Sequence, residues 1–270
     1  MTNKQMQDGA RLVLAHAVSG GHAITASRAL PDEVPIALVY NGTTQAVMMA
    51  TPCDLMDFGR GFTRTEGLGS VEGIEVVTHP NGMEIQMWLP DHQAEDLAAR
   101  RRAMAGPVGC GLCGIDSLGQ AVRHVPQVTA DTTLTPAQIA DAMMALRQGQ
   151  ALHDQTRAVH GAGFYDPIQG LTVVREDVGR HNALDKLIGA VSNCAAGAVV
   201  LTSRVSVEMV QKTAFSGAGI ILAVSAPTTL AVETAQAAGV TLVALARDDT
   251  FEIFTHPHRI QTKEASDVAR

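Results

Sequence analysis

Residues 198–225 are AVVLTSRVSVEMVQKTAFSGAGIILAVS, and residues 226–247 continue as APTTLAVETAQAAGVTLVALAR. Short continuous apolar runs alternate here with longer segments in which apolar residues recur at helical spacing. Continuous apolar strands are typical of a parallel sheet, because its crossover helices cover both faces. The stretch therefore predicts alternating strands and helices around a parallel sheet, and LTVVRE (171–176) with GRHNALDKLIGAV (179–191) extends the same rhythm toward the N-terminus.

The helix ends within this stretch carry recognisable signals. Ser203 is a predicted N-cap after one strand, residues 225–228 close the next strand and open a helix, and Gly239 stops that helix. Free backbone N–H groups at such helix starts hold phosphate, at the carboxyl edge where open α/β sheets bind ligands. We therefore expect an anion-binding edge in the C-terminal half.

The N-terminal half has a different pattern. Asn41-Gly42 and Asn81-Gly82 each separate two apolar runs, which predicts tight β-hairpins. Between them, Thr51 as N-cap and Pro52 at the first position predict a short helix. Further helices are predicted from Asp91 to Gly106, from Thr135 onward and over 150–160. The predicted class is α/β, α+β overall, with a β-rich domain over 1–120 and an α/β domain over 121–270.

Composition narrows the possible functions. The 270 residues carry 46% hydrophobic and 17% charged side chains, which is an ordinary globular balance. A net charge of −7 and a pI near 5.8 argue against nucleic acid or an anionic membrane as partner. No apolar run approaches the roughly 20 residues of a membrane span, and the first residues lack the apolar core of a signal peptide. We expect a cytoplasmic protein with reduced thiols.

Two of the four cysteines stand close together among glycines, in GPVGCGLCGIDSL (106–118). A structural zinc site needs four ligands, and Cys110 and Cys113 provide only two. Deaminase-type zinc would require a His-x-Glu, which the chain lacks. A thioredoxin-like dithiol would begin a helix after a strand, whereas this pair follows a predicted helix. No structural metal is expected.

A third chemistry suits the glycines. A sulfur carrier accepts sulfur on a cysteine thiolate as a persulfide and passes it on. Successive backbone N–H groups in a glycine-rich turn stabilise such an anion, and the turn can bend from donor to acceptor. A tight turn whose cysteines only pack is the remaining alternative. For Cys53 and Cys194 simple packing in an apolar environment is the expectation.

The segment VREDVGRHNALDKLIGA (174–190), together with the Cys-Gly-x-Cys-Gly loop, resembles the formate dehydrogenase accessory sulfurtransferases, the FdhD family. Agreement extends over about residues 31–260 and includes SRVSVEMVQK (203–212) and SAPTTLAVETA (225–235). The resemblance implies a cytidine deaminase-like C-terminal domain. It also implies a homodimer that takes sulfur from a cysteine desulfurase and delivers it to the molybdenum bis-guanine dinucleotide cofactor, before that cofactor is inserted into formate dehydrogenase.

Site residues follow from the same resemblance. Cys110 would carry the persulfide, and Cys113 would assist or substitute. Cofactor contacts would come from Arg180, His181, Lys186 and His160 and from the segment Leu245, Ala246, Arg247, Asp248, Asp249 and Thr250. The family more often has glycine at 248 and arginine at 250, which leaves Arg247 as the cation expected near a phosphate.

Several alternatives stay open from the sequence. Residues 174–186 also fit a capped helix with a solvated charged face. His160 would either orient the cofactor or cap a turn. Two other functions compete: a non-covalent molybdenum cofactor chaperone, and a zinc hydrolase of deaminase type.

Overall fold

The computed structural model describes residues 6–95, 97 and 125–262. Cys110 and Cys113 lie outside the described residues. The chain divides into two compact units, of which the first comprises Met1–Val125, Gln150–Gly161 and Arg175–Ala190, and the second comprises Pro126–Gly149, Ala162–Val174 and Val191–Arg270. The sequence predicts a single boundary near residue 120. The observed units instead alternate along the sequence, because two segments of the C-terminal half belong to the first unit.

The elements are numbered in chain order. The strands are β1 (Ala10–Ser19), β2 (His22–Pro31), β3 (Val34–Tyr40), β4 (Thr43–Ala50), β5 (Gly73–His79), β6 (Gly82–Trp88), β7 (His160–Asp166), β8 (Gly170–Asp177), β9 (Ala198–Leu201), β10 (Ile220–Ala223), β11 (Thr241–Arg247) and β12 (Thr250–Ile253). The helices are α1 (Leu55–Thr65), α2 (Pro136–Gln148), α3 (Ala151–Thr156), α4 (Arg180–Ala190), α5 (Val207–Ser216) and α6 (Thr229–Ala238). Residues 91–95 are also helical, at the start of the helix predicted from Asp91.

The first unit contains a four-stranded sheet in the order β4-β3-β6-β5, and β1 and β2 form a separate two-stranded sheet. Both predicted Asn-Gly hairpins are confirmed, since β3 pairs antiparallel with β4 and β5 with β6. Asn41 and Gly42 have φ values of 47° and 77°, as a tight primed turn requires. Ile36, Leu38 and Ile85 of this sheet pack with Phe58 of α1 in one buried core.

The second unit contains a six-stranded sheet in the order β12-β11-β10-β9-β7-β8. Strands β9, β10 and β11 are parallel, which confirms the central prediction. Around them the sheet is mixed, because β12 runs antiparallel to β11 and β7 runs antiparallel to β9. The predicted class, α/β with a β-rich N-terminal part, is confirmed.

Most helix ends follow the sequence signals. Thr135 and Gln138 form a capping box at the start of α2, and Thr228 Oγ1 accepts from Ala231 N–H at the start of α6. Gly239 ends α6 in the left-handed region, with φ 76°. Among the described helices none is long and apolar enough to cross a membrane.

Three local predictions were wrong. The N-cap of α5 is Ser206 rather than Ser203. The helix predicted over 150–160 ends at Thr156, because His160 already begins β7. The helix predicted to start after Thr51 begins at Leu55 instead, with Asp54 as N-cap.

Helices α1 and α4 of the first unit approach each other more closely than side chains allow. A Cβ atom added at Gly61 would lie 1.7 Å from the carbonyl oxygen of Asp185, and one at Gly189 would lie 1.8 Å from that of Asp57. Because glycine has no Cβ, the two backbones can touch here. This contact fixes α4 against α1.

We predict that Gly61→Ala lowers the free energy of unfolding by about 3 kcal/mol, because the methyl group forces the two helix backbones apart. Urea denaturation followed by circular dichroism measures this loss. Gly170→Ala is the control, since Gly170 has open space around it but a φ of 78°, and backbone strain alone costs about 1 kcal/mol. Equal losses in the two variants would contradict the close approach.

Candidate functional site

The centre of the first unit is a buried ion pair. Lys186 of α4 and Asp177 at the end of β8 have fully buried side chains, and Nζ lies 2.7 Å from Asp177 Oδ2. Lys186 Nζ also donates to the Thr51 carbonyl oxygen at 2.9 Å. A buried charge is tolerated only when it is paired and hydrogen-bonded, and both conditions are met here.

The Asp177 carboxylate accepts three further hydrogen bonds. Oδ2 accepts from the Thr51 N–H at 3.0 Å, and Oδ1 accepts from the Gly179 N–H at 2.8 Å and from Asn182 Nδ2 at 3.0 Å. Asn182 Nδ2 donates in addition to the Met49 carbonyl oxygen. One carboxylate therefore ties the end of β4, the end of β8 and the start of α4 together.

This network corrects the alternative of a solvated charged face for 174–186, because Asp177, Asn182 and Lys186 are buried. Lys186 has no exposed surface and its ammonium is already bonded, so in this structure it positions the start of α4. The expected contact between Lys186 and the cofactor stays a prediction that this geometry does not favour.

Cys53 lies next to the ion pair, in the loop between β4 and α1. Its Sγ atom is 3.9 Å from Lys186 Nζ, and the residue is only partly buried. Burial raises the pKa of the Cys53 thiol, and the Lys186 charge acts in the opposite direction. The expected apolar helical setting is thus wrong for Cys53, whereas Cys194 is buried as expected.

Arg180 and His160 are electrostatic neighbours in the first unit. Burial lowers the pKa of the His160 imidazole, with further contributions from the positive charges of Arg180 and His153. Arg180 Nε is shielded from water, and within the described parts of the chain it has no hydrogen-bond acceptor. A shielded cationic N–H group in that position favours an anionic acceptor from outside.

Glu176 holds the segment that leads to His160. Its carboxylate accepts from the N–H groups of Leu152 and His153, both at 2.8 Å, at the start of α3. Burial raises the pKa of Glu176, and these two hydrogen bonds oppose that change. His153 in turn contacts the Val159 carbonyl oxygen at 3.1 Å through Nδ1. The chain before His160 is therefore fixed.

The segment from Leu245 to Thr250 forms the end of β11, a tight turn and the start of β12 in the second unit. Arg247, Asp248, Asp249 and Thr250 are exposed, and Ala246 packs in the core. Leu245 and Asp248 have positive φ, at 54° and 53°, and the pairing of β11 with β12 shifts register between Ala244 and Arg247. Exposed side chains thus stand at the carboxyl end of β11, a parallel strand next to the edge of the sheet, and their contact with a cofactor stays a prediction.

The predicted residues fall into three groups. Arg180, His181, Lys186 and His160 belong to the first unit, and 245–250 to the second; the two cysteines lie outside the described residues. Sequence reasoning missed the role of Thr51, whose N–H, carbonyl and hydroxyl groups all bond to the β8–α4 region. Its only sequence signal, a Thr-Pro pair, predicts a helix cap instead.

Comparison with known proteins identifies the family. The FdhD/NarQ family model matches residues 31–261, most of the chain. The chain belongs to the FdhD/NarQ family. This confirms the family that residues 174–190 and the cysteine loop indicated.

Relatives of this FdhD/NarQ family member align over nearly their whole length. Sulfur carrier protein FdhD of Agrobacterium fabrum is 54% identical over 93% of this chain and 96% of its own. The protein of the same name from Brucella abortus is 52% identical over 92% and 94%. The crystal structure of a formate dehydrogenase accessory protein from Desulfotalea psychrophila covers 93% of this chain and 99% of its own, with a TM-score of 0.71 at 28% identity.

We predict that Lys186→Met lowers the free energy of unfolding by about 3–5 kcal/mol, because Asp177 is left as an unpaired buried charge. Chemical denaturation measures the loss. The double variant Lys186→Met with Asp177→Asn should recover a substantial part of it, since no net charge is then buried. A double variant whose loss equals the sum of the two single losses would show that the pair is not coupled.

We predict that Arg180→Gln raises the pKa of His160, because a nearby positive charge is removed. Proton NMR titration of the imidazole measures this shift, and Arg157→Gln is the control with an exposed cation three residues from His160. A lowered folded-state pKa means that the folded protein binds fewer protons than the unfolded chain. The wild type should therefore lose His160-dependent stability as pH falls below 6.5, and Arg180→Gln should lose less.

An unchanged His160 pKa in Arg180→Gln, or an equal rise in Arg157→Gln, would contradict the electrostatic coupling between these two side chains.

Proposed function

We propose that this chain is a sulfur carrier that supplies sulfur for the maturation of formate dehydrogenase. The observation that carries the proposal is the match to the FdhD/NarQ family over residues 31–261, joined to relatives named sulfur carrier protein FdhD at up to 54% identity. The Cys-Gly-x-Cys-Gly sequence at 110–114 supports it independently, because paired thiols among glycines suit persulfide chemistry.

Loading is a transfer between two cysteines. The Cys110 thiolate attacks the terminal sulfur of a persulfide on a cysteine desulfurase, and a new S–S bond forms on Cys110. The S–S bond of the donor breaks at the same time, and the donor cysteine leaves as a thiolate. No net oxidation occurs, so no other reactant is required.

Delivery of sulfide requires two electrons, because the terminal sulfur of a persulfide is more oxidised than sulfide. We assign their supply to Cys113. Its thiolate attacks the Cys110 sulfur, a Cys110–Cys113 disulfide forms, and hydrosulfide leaves toward the acceptor. A small-molecule or protein thiol then reduces the disulfide and restores both cysteines.

The proposed acceptor is the molybdenum bis-guanine dinucleotide cofactor, which is cargo rather than a resident group. Its diphosphates are anions, and Arg180 offers a shielded N–H without an acceptor in the described residues. His160 beside it gains a proton more readily when an anion arrives, since a negative charge raises its pKa. Arg247, exposed at the end of β11, is the corresponding cation of the second unit.

The proposed partners follow from this role. They are a cysteine desulfurase as donor, formate dehydrogenase as recipient and a second copy of the chain in a homodimer. The cytoplasm is the proposed location, because donor thiols stay reduced there. Neither a nucleic acid nor a membrane is among the proposed partners, given the net charge of −7.

We predict that incubation with a cysteine desulfurase and cysteine adds one sulfur to the wild type, a gain of about 32 daltons that a reductant removes. Intact-mass spectrometry measures it. Cys110→Ala should show no gain, whereas Cys113→Ala should load sulfur and retain it. Cys53→Ala is the control, because Cys53 is another partly accessible thiol and should not affect loading.

If Cys53→Ala gains no sulfur while Cys110→Ala still does, then Cys53 rather than Cys110 carries the sulfur, and the proposal is contradicted. No gain in any form, with formate dehydrogenase still matured, would favour the non-covalent chaperone.

A further inference from the structure

Among the described elements of the first unit, the β1–β2 hairpin is the most exposed. Its two strands of 10 residues pair in register from Ala10↔Pro31 to Ser19↔His22, around a Gly20-Gly21 turn. Apolar side chains nevertheless cover it: Leu12 is 60% exposed, Leu14 73% and Val18 68%. The FdhD/NarQ match begins at residue 31, so all of the hairpin except Pro31 lies outside it.

The strand register places apolar side chains on both faces of the hairpin. Successive side chains of a strand point to opposite faces, so Leu12, Leu14 and Val18 share one face. Ile24 lies opposite Ala17 and Leu30 opposite Arg11, on the other face, and Ile24 is 66% exposed. A sheet that packs against a core on one face only usually has polar side chains on its other face, which is not the case here.

A two-stranded sheet of this kind is only marginally stable in water. Both of its strands are edges, with backbone groups that serve as a template for another chain. Among the described residues, the base of the hairpin is held by hydrogen bonds from Asp32 N–H to the Gly9 carbonyl oxygen and from Gln7 N–H to Gln155 Oε1, and β2 lies near α3. We therefore expect another surface to cover the exposed side chains and strand edges of the hairpin.

The positive charge of the hairpin indicates what kind of surface covers it. Residues 10–31 contain Arg11 and Arg28, two histidines and no carboxylate, while the whole chain has 27 acidic against 20 basic residues. Arg11 is paired with Asp32 within the unit at 2.6 Å, which leaves Arg28 and the histidines for a partner. A second copy of this chain presents the complementary excess of negative charge.

The available area agrees with a dimer. A 10-residue strand is about 34 Å long and two strands are about 10 Å wide, so the two faces together offer roughly 700 Å². Specific interfaces bury about 800 Å² per partner, and a copy that both gives one hairpin and receives another buries more than this. Two copies that each give and receive one hairpin also close into a finite two-fold assembly rather than a chain of copies.

We propose that the β1–β2 hairpin is the surface through which two copies of this chain associate, with both of its faces covered by the partner. The proposal rests on the homodimer included in the proposed function and deepens it by naming the residues. It does not depend on sulfur chemistry, and its test does not use it.

Sedimentation velocity over a range of concentrations tests the proposal on the wild type, on Leu14→Glu and on Ile24→Glu, which alter opposite faces. The wild type should sediment as two 28.4 kDa chains. Each variant should raise the dissociation constant at least about 100-fold, because a carboxylate is buried without a partner. Ile168→Glu is the matched control: Ile168 is 94% exposed on the turn between β7 and β8, and its variant should remain dimeric.

A monomeric wild type would overturn both the dimer and the hairpin surface. A dimer that survives either hairpin substitution would overturn the hairpin surface alone. The altered side chains are exposed, so unchanged far-UV circular dichroism verifies folding in each variant. Persulfide loading measured on the same samples keeps the two questions separate, because failure of loading leaves the sedimentation result intact.

Discussion

The rest of the first unit depends on one interaction, the buried ion pair of Lys186 and Asp177. Neither side chain is exposed, and both bond to the Thr51 backbone. Asp177 also accepts from Gly179 N–H and Asn182 Nδ2 at the start of α4. The pair therefore fixes where β4 ends, where β8 ends and how α4 begins. The close contact of α4 with α1 at Gly61 and Gly189 extends this fixed frame.

This frame supports the proposed chemistry by placing the start of α4 and the end of the loop after β4. Arg180 is the first residue of α4, and its shielded Nε stands beside a histidine whose pKa burial lowers. Cys53 follows Thr51 by two residues and faces the ammonium. A rigid, partly buried Arg180 suits an anionic dinucleotide, because little ordering is required when the ligand binds.

The sequence predicted the parts of the fold that local patterns specify. Strands β9 to β11, the helix start at Thr135 and both Asn-Gly hairpins follow from periodicity and turn chemistry. The buried role of Lys186 did not follow, because a mixed polar segment usually faces solvent and its partner Thr51 is 135 residues away. The β1–β2 hairpin was missed although Gly20-Gly21 is a hairpin signal. For the site, the sequence indicated Arg180 and His160, and only the structure revealed their shared electrostatics.

The central claim is that sulfur travels covalently on this chain to formate dehydrogenase. The most direct measurement loads the protein with ³⁵S from a labelled cysteine desulfurase, removes the desulfurase, and adds the molybdenum bis-guanine dinucleotide cofactor together with cofactor-free, inactive formate dehydrogenase. The account predicts that label leaves the carrier and is recovered in the enzyme in proportion to the activity that appears. Activity that appears while the label stays on the carrier would contradict it.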